Sequence, residues 1–129
     1  MSMNLSVAKF ETREGKLNSD YSNLSKEVIV TDFLDSLISE KFVSSFQAFE
    51  DDEGLEYREI STTHIIELSE KVDHIEDKLL SDLENASGKS KREELISNIR
   101  DITLLNMLIK IFLINDGMTD SRNIKLLIS

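Results

Sequence analysis

A chain of 129 residues, 40 per cent apolar and 31 per cent charged, is long enough for one hydrophobic core and too apolar for the composition of a disordered chain. It has no cysteine, which excludes disulfides, thiolate metal sites and cysteine nucleophiles together. Its net charge of −10 is uneven: +1 over residues 1–19, −8 over 20–60, −5 over 61–86 and +2 over 87–129. A field of that kind repels nucleic acid and anionic lipid and speeds encounter with a basic partner.

There is no proline and there are only four glycines, so few residues break helices, and the expected class is all-α. Residues 1–18 form an arm that fits either regular structure. Met3, Val7, Phe10 and Leu17 recur at helical spacing, whereas Leu5 and Val7 alternate as in a strand. The same segment has no uninterrupted apolar stretch of secretory length, which points to a soluble cytoplasmic protein.

Capping residues cluster at Asn18, Ser19, Asp20 and Ser22. The apolar positions Leu24, Val28, Leu34, Leu37, Ile38, Phe42, Phe46 and Phe49 then predict an amphipathic helix over 20–49. The β-branched run Val28 to Thr31 admits another reading, a short strand followed by a shorter helix capped at Asp32.

Residues 50–60 read as an acidic linker. Glu50, Asp51, Asp52 and Glu53 repel one another, and with Gly54 at the sixth position of an EF-hand loop the first would be Phe49, where calcium needs a carboxylate.

Beyond the linker, Ile65, Leu68, Val72, Ile75 and Leu79 step by three and four along a helix expected over 62–86. Gly88 fits a helix stop. Ser90 with Glu93 spells a capping box for a helix over 91–115, so the two helices form an antiparallel hairpin. Within the second arm, ten of the thirteen residues from Ile102 to Ile114 are apolar. At about 20 Å that stretch is too short for a bilayer core of roughly 30 Å, so it predicts a core helix. Asn115, Asp116 and Gly117 end that arm, and a short helix over 119–128 completes a small bundle in one domain spanning 1–129.

Motifs that carry chemistry are missing their essential parts. Gly88, Lys89 and Ser90 match the tail of a phosphate-binding loop, but Leu83 stands where the motif needs a glycine, and a helix precedes it where a strand is required. His64 and His74 are each followed at i+3 by a carboxylate, Glu67 and Asp77. That is the reverse of the order used in carboxylate-bridged metal bundles, and about 15 Å separates the two histidines. No G-x-S-x-G elbow is present.

The expectation is a non-enzymatic acidic protein-binding protein: an inhibitor, immunity factor, chaperone or assembly adaptor without cofactor or metal. Its partner is a protein with a basic surface, with no direct nucleic acid and no membrane, and a homodimer also fits. The contact residues that follow are Glu50, Asp51, Asp52 and Glu53 with the phenylalanines Phe42, Phe46 and Phe49. The alternative is an acidic mimic of nucleic acid that occupies a DNA- or RNA-binding protein.

Overall fold

The computed structural model describes residues 3–42, 46–118 and 123–129, and it overturns the all-helical expectation. Among the described residues the order is β1 (Asn4–Arg13), β2 (Lys16–Asn23), β3 (Val28–Ile29), α1 (Asp32–Phe42), β4 (Phe46–Glu50), β5 (Glu56–Ile60), α2 (Thr62–Asn85), α3 (Lys89–Met118) and β6 (Ile124–Ile128). The six strands make one antiparallel sheet in the order β2-β1-β6-β5-β4, with β3 paired to the start of β1.

The expected arm 1–18 is β1 and the beginning of β2. Its strand-like alternation wins because both faces of β1 are covered. Leu5 and Val7 face the helices in the main core, while Ala8 and Phe10 join a second cluster with Leu127. The β1–β2 connection is a two-residue loop with Glu14 at φ 54° and Gly15 at φ 78°, the positive pair that a type I′ hairpin turn requires. The register then slips: only Glu11 lies between Phe10 and Thr12, opposite a longer stretch of β2 between Tyr21 and Leu17. Such a bulge bends the sheet and increases its twist.

The helix expected over 20–49 breaks into the end of β2, β3, α1 and β4, and the alternative reading at Val28, a short strand and then a shorter helix, is the one that forms, except that Asp32 is the first helical residue and not the cap. Thr31 supplies the cap. Its Oγ1 accepts from Leu34 N–H at 3.3 Å and its carbonyl from Asp35 N–H at 2.8 Å. The Thr31 hydroxyl also donates to Asp101 Oδ2 at 2.9 Å, which ties the start of α1 to the middle of α3.

The expected linker 50–60 is the end of β4, the turn and the second strand of the β4–β5 hairpin, and the helix expected over 119–128 is overturned at 124–128, which form β6, while 119–122 lie outside the described residues. Ile124, Leu127 and Ile128 fit helical spacing as well as a short strand, and only the central slot between β1 and β5 decides between them.

The helical hairpin forms, but α3 is longer at both ends than expected and runs through Asn115, Asp116 and Gly117 to Met118 instead of stopping at them. Gly88 takes φ 94°, and its carbonyl accepts from Arg92 N–H at 3.2 Å, so α3 begins at Lys89 and Ser90 lies inside the first turn instead of capping it. Arg92 reaches back to the carbonyls of Leu83 at 3.2 Å, which also accepts from Ala86 N–H, and of Ala86 at 3.4 Å, and so ties the start of α3 to the end of α2. Leu105, Leu108 and Ile109 of α3 are wholly buried among Leu34, Val72 and Leu126, so α3 is the central helix. No helix among the described residues is long and apolar enough to cross a membrane.

Candidate interaction surface

The acidic tip of the β4–β5 hairpin is built around Asp51, which is 7 per cent exposed. Asp51 Oδ1 accepts from the N–H groups of Glu53 and Leu55, both at 2.9 Å, and Oδ2 accepts from the Tyr57 hydroxyl at 2.9 Å. Burial alone would raise its pKa, but these hydrogen bonds, that of Leu55 first among them, hold the carboxyl below its ordinary value. The same environment pushes the Tyr57 phenol up to about 12, through burial and then its bond to Asp51. The tip folds over the sheet. Asp52 N–H donates to the Leu17 carbonyl at 2.7 Å, and Ser19 N–H donates to Asp52 Oδ1 at 3.1 Å.

Beneath the tip lies an aromatic cluster on the face of the sheet away from the helices. Phe10 stacks on Tyr21 at 4.7 Å between centroids and meets Tyr57 edge-on at 5.2 Å, while Phe49 stacks on Tyr57 at 5.3 Å. Lys125 sits over the Phe49 ring at 4.9 Å and pairs with Glu59 at 3.3 Å. Burial raises the Glu59 carboxyl above its ordinary value, against the pull of Lys125. Of the residues expected to contact a partner, Phe49 is half-buried in this cluster and the Asp51 carboxylate is occupied within the hairpin. Glu50, Asp52 and Glu53 stay exposed. The side chains of Phe42 and Phe46 lie outside the described residues.

The opposite side of the molecule is the α2–α3 hairpin. The seam Ile65, Leu68 and Val72 is buried in the main core, with Ile75 and Leu79 packed against it. The outward face of α2 carries a different stripe. Ile66, Glu70, Asp73, Asp77 and Leu80 recur at helical spacing and are all exposed, Ile66 at 50 per cent and Leu80 at 45 per cent. Three carboxylates thus lie between two apolar ends about 21 Å apart. Asp73 is steadied by Asn106, whose Nδ2 donates to Oδ1 at 3.0 Å, and Thr103 donates to Glu76 at 3.5 Å.

Comparison with protein-family models, with curated proteins and with solved structures finds no match. The surface therefore has to be read from its own chemistry. Among the described residues no group of three or more His, Asp and Glu side chains is placed to hold a metal ion. His64 Nδ1 is in hydrogen-bond contact with Ser61 Oγ at the start of α2, and His74 points to solvent on the same helix.

Two features escape the sequence reading. The first is the apolar ends of the α2 stripe, Ile66 and Leu80, which fall outside the core seam. The second is on α3, where all-round apolarity implies full burial, yet Leu104, Met107 and Ile114 are 37, 44 and 62 per cent exposed. The signal for the second was legible: Leu104, Met107, Ile111 and Ile114 step by three, four and three, a seam distinct from the buried Ile102, Leu105, Ile109 and Phe112.

Proposed function

We propose that this chain is a non-enzymatic, cytoplasmic protein-binding protein of the inhibitor, immunity-factor, chaperone or adaptor kind, and that it meets a basic partner through the outward face of α2. The observation that supports this reading is the stripe Ile66, Glu70, Asp73, Asp77 and Leu80, in which exposed apolar anchors bracket a run of carboxylates. A partner helix or strand with basic residues between two apolar ones is its complement. The carboxylates would steer encounter and fix register, and the apolar ends would slow dissociation. A nucleic-acid mimic would present the carboxylates alone; the apolar ends favour the protein-binding reading over that alternative.

The test compares proteins captured from the native host by the wild-type chain with those captured by two variants. One carries Ile66→Ser and Leu80→Ser, the other Glu70→Gln and Asp77→Asn. Loss of the same basic protein from both, with binding to the carboxylate variant less dependent on salt, is the expected result. Capture of the same proteins by all three would refute the reading.

A further inference from the structure

We propose that a second copy of this chain covers the exposed stripe of α3, so that two chains pair α3 against α3, antiparallel, about a two-fold axis near Leu104 and Met107. The stripe runs from Ile96 to Ile114, about 27 Å of helix, and its exposed apolar members Ile96, Leu104, Met107 and Ile114 fall on one side of α3. Ile29 of β3, 65 per cent exposed, lines the same groove as Leu104 and Met107 and widens the patch.

The area fits a dimer. From their fractional exposures these five residues offer roughly 450 Å² of apolar surface, at the upper end of what monomers leave open. Two copies bring roughly 900 Å² together. At the usual apolar share of about 60 per cent, that corresponds to a total interface of about 1,500 Å², within the standard range for stable complexes.

Charge selects the occupant. The chain carries −10, yet the charged side chains bordering the stripe nearly balance, with Lys26, Arg100 and Lys110 against Glu27, Glu76, Glu93 and Asp101, a net −1. Asp101, also at the border, is buried and bonded to Thr31. A basic partner gains little from so weakly charged a patch and would be drawn to α2. Two acidic chains can meet here with the least mutual repulsion.

Symmetry fits as well. Centred near residue 105, an antiparallel pairing sets Leu104 against Met107 of the other copy and Ile96 against Ile114, apolar on apolar at the middle and at both ends; between them it sets Arg100 against Lys110, two exposed cations whose long stems cover the seam while their charged ends turn out to solvent. A two-fold interface must be self-complementary in this way. The opposed helix dipoles also favour antiparallel packing.

Sedimentation equilibrium of the full chain should show twice the 14.7 kDa chain mass at tens of micromolar. Met107→Glu should weaken association by about 100-fold or more, as loss of a central interface anchor does. Met107→Leu should preserve association, and Leu80→Glu on α2 should leave it unchanged. Circular dichroism of Met107→Glu should match the wild type, since this side chain is half in solvent. The chain has no cysteine, so single replacements report geometry directly. Met107→Cys should form a disulfide-linked dimer on oxidation, and Ile96→Cys, about 27 Å from its copy, should not. A monomer at all concentrations overturns the proposal, as does a dimer that Met107→Glu leaves intact. Efficient linking through Ile96→Cys overturns the antiparallel arrangement. None of these outcomes depends on whether α2 binds a basic partner.

Discussion

The Tyr57 hydroxyl donates to Asp51 Oδ2 at 2.9 Å across the β4–β5 turn, so the tip of this hairpin is held by a phenol and a carboxylate that shift each other's titration in opposite directions. Tyr57 should release its proton at about pH 12. Asp51→Asn should bring that step down, because the neutral amide removes both the strong acceptor and the neighbouring negative charge. Phenolate absorbance against pH reads the step, and Tyr57→Phe should abolish it. An unchanged step in Asp51→Asn would show that the bond is not formed in solution.

Acid stability follows from the same carboxylate. The folded chain holds Asp51 below its ordinary 3.8, so its contribution is complete above about pH 4 and disappears as pH falls through the lowered value. Glu59 acts in the opposite sense. Its pKa is raised above 4.5, so the folded chain is favoured while Glu59 is protonated, and that advantage is lost as pH rises through the raised value. Asp51→Asn should therefore flatten the acid limb below pH 4 in urea titrations, while Glu59→Gln should reduce the pH dependence above it.

Glu14 occupies a position that suits asparagine or glycine. It sits at φ 54° in the type I′ turn beside Gly15, where a side chain without a local hydrogen bond costs about 1 kcal/mol. Glu14→Asn should stabilise the fold by about 0.5 to 1 kcal/mol, seen as a higher urea midpoint with unchanged slope.

Leu105 and Leu108 are wholly buried where α3 lies across the sheet. Replacing either by Ala should cost about 2 to 5 kcal/mol, a large part of a typical total of about 5 to 15. Met107→Ala, between them in sequence but on the exposed side, should lower the urea midpoint of the dilute chain far less.

Changing Glu50→Gln, Asp52→Asn and Glu53→Gln together should leave the fold nearly as stable, since all three side chains are exposed and the amide of Asp52→Asn keeps an oxygen that accepts from Ser19 N–H. Extending the change to Asp51→Asn should lower the thermal midpoint, because Asp51 holds the turn. If the tip also meets a basic partner, the triple variant should associate more slowly and with a weaker dependence on salt.

The helical hairpin was legible because each arm has a long apolar period and Gly88 separates them. The sheet was not, for local reasons at each strand. β2, KLNSDYSN, has only Leu17 and Tyr21 as sizeable apolar side chains, and its bulge spaces them four apart, as in a helix. β5, EYREI, has exposed charges at Glu56 and Arg58 and buries Glu59 in an ion pair, so its alternation is hidden. The acidic run was legible as a solvated linker, but neither as the turn of a β-hairpin nor as one with a buried carboxylate. Asp51 is distinguished from its neighbours only by the hydroxyl of Tyr57, six residues on, and by the backbone donors of the turn.

The central position of β6 bears on the route by which the chain folds. β6 pairs Leu5 with Ile128 on one side and Ile60 with Leu126 on the other, and among the described residues the β1–β2 and β4–β5 hairpins share no ladder except through it, only the bonds of Asp52 to Leu17 and Ser19 at the tip. Both hairpins precede β6 in the chain and are separated from it by the α2–α3 pair, which needs only local contacts. Closing so long a loop is the slow step in chains dominated by distant pairings. Helical signal should therefore appear early in refolding. The Phe10–Tyr57 cluster, which needs both hairpins in place, should report only when β6 has joined them.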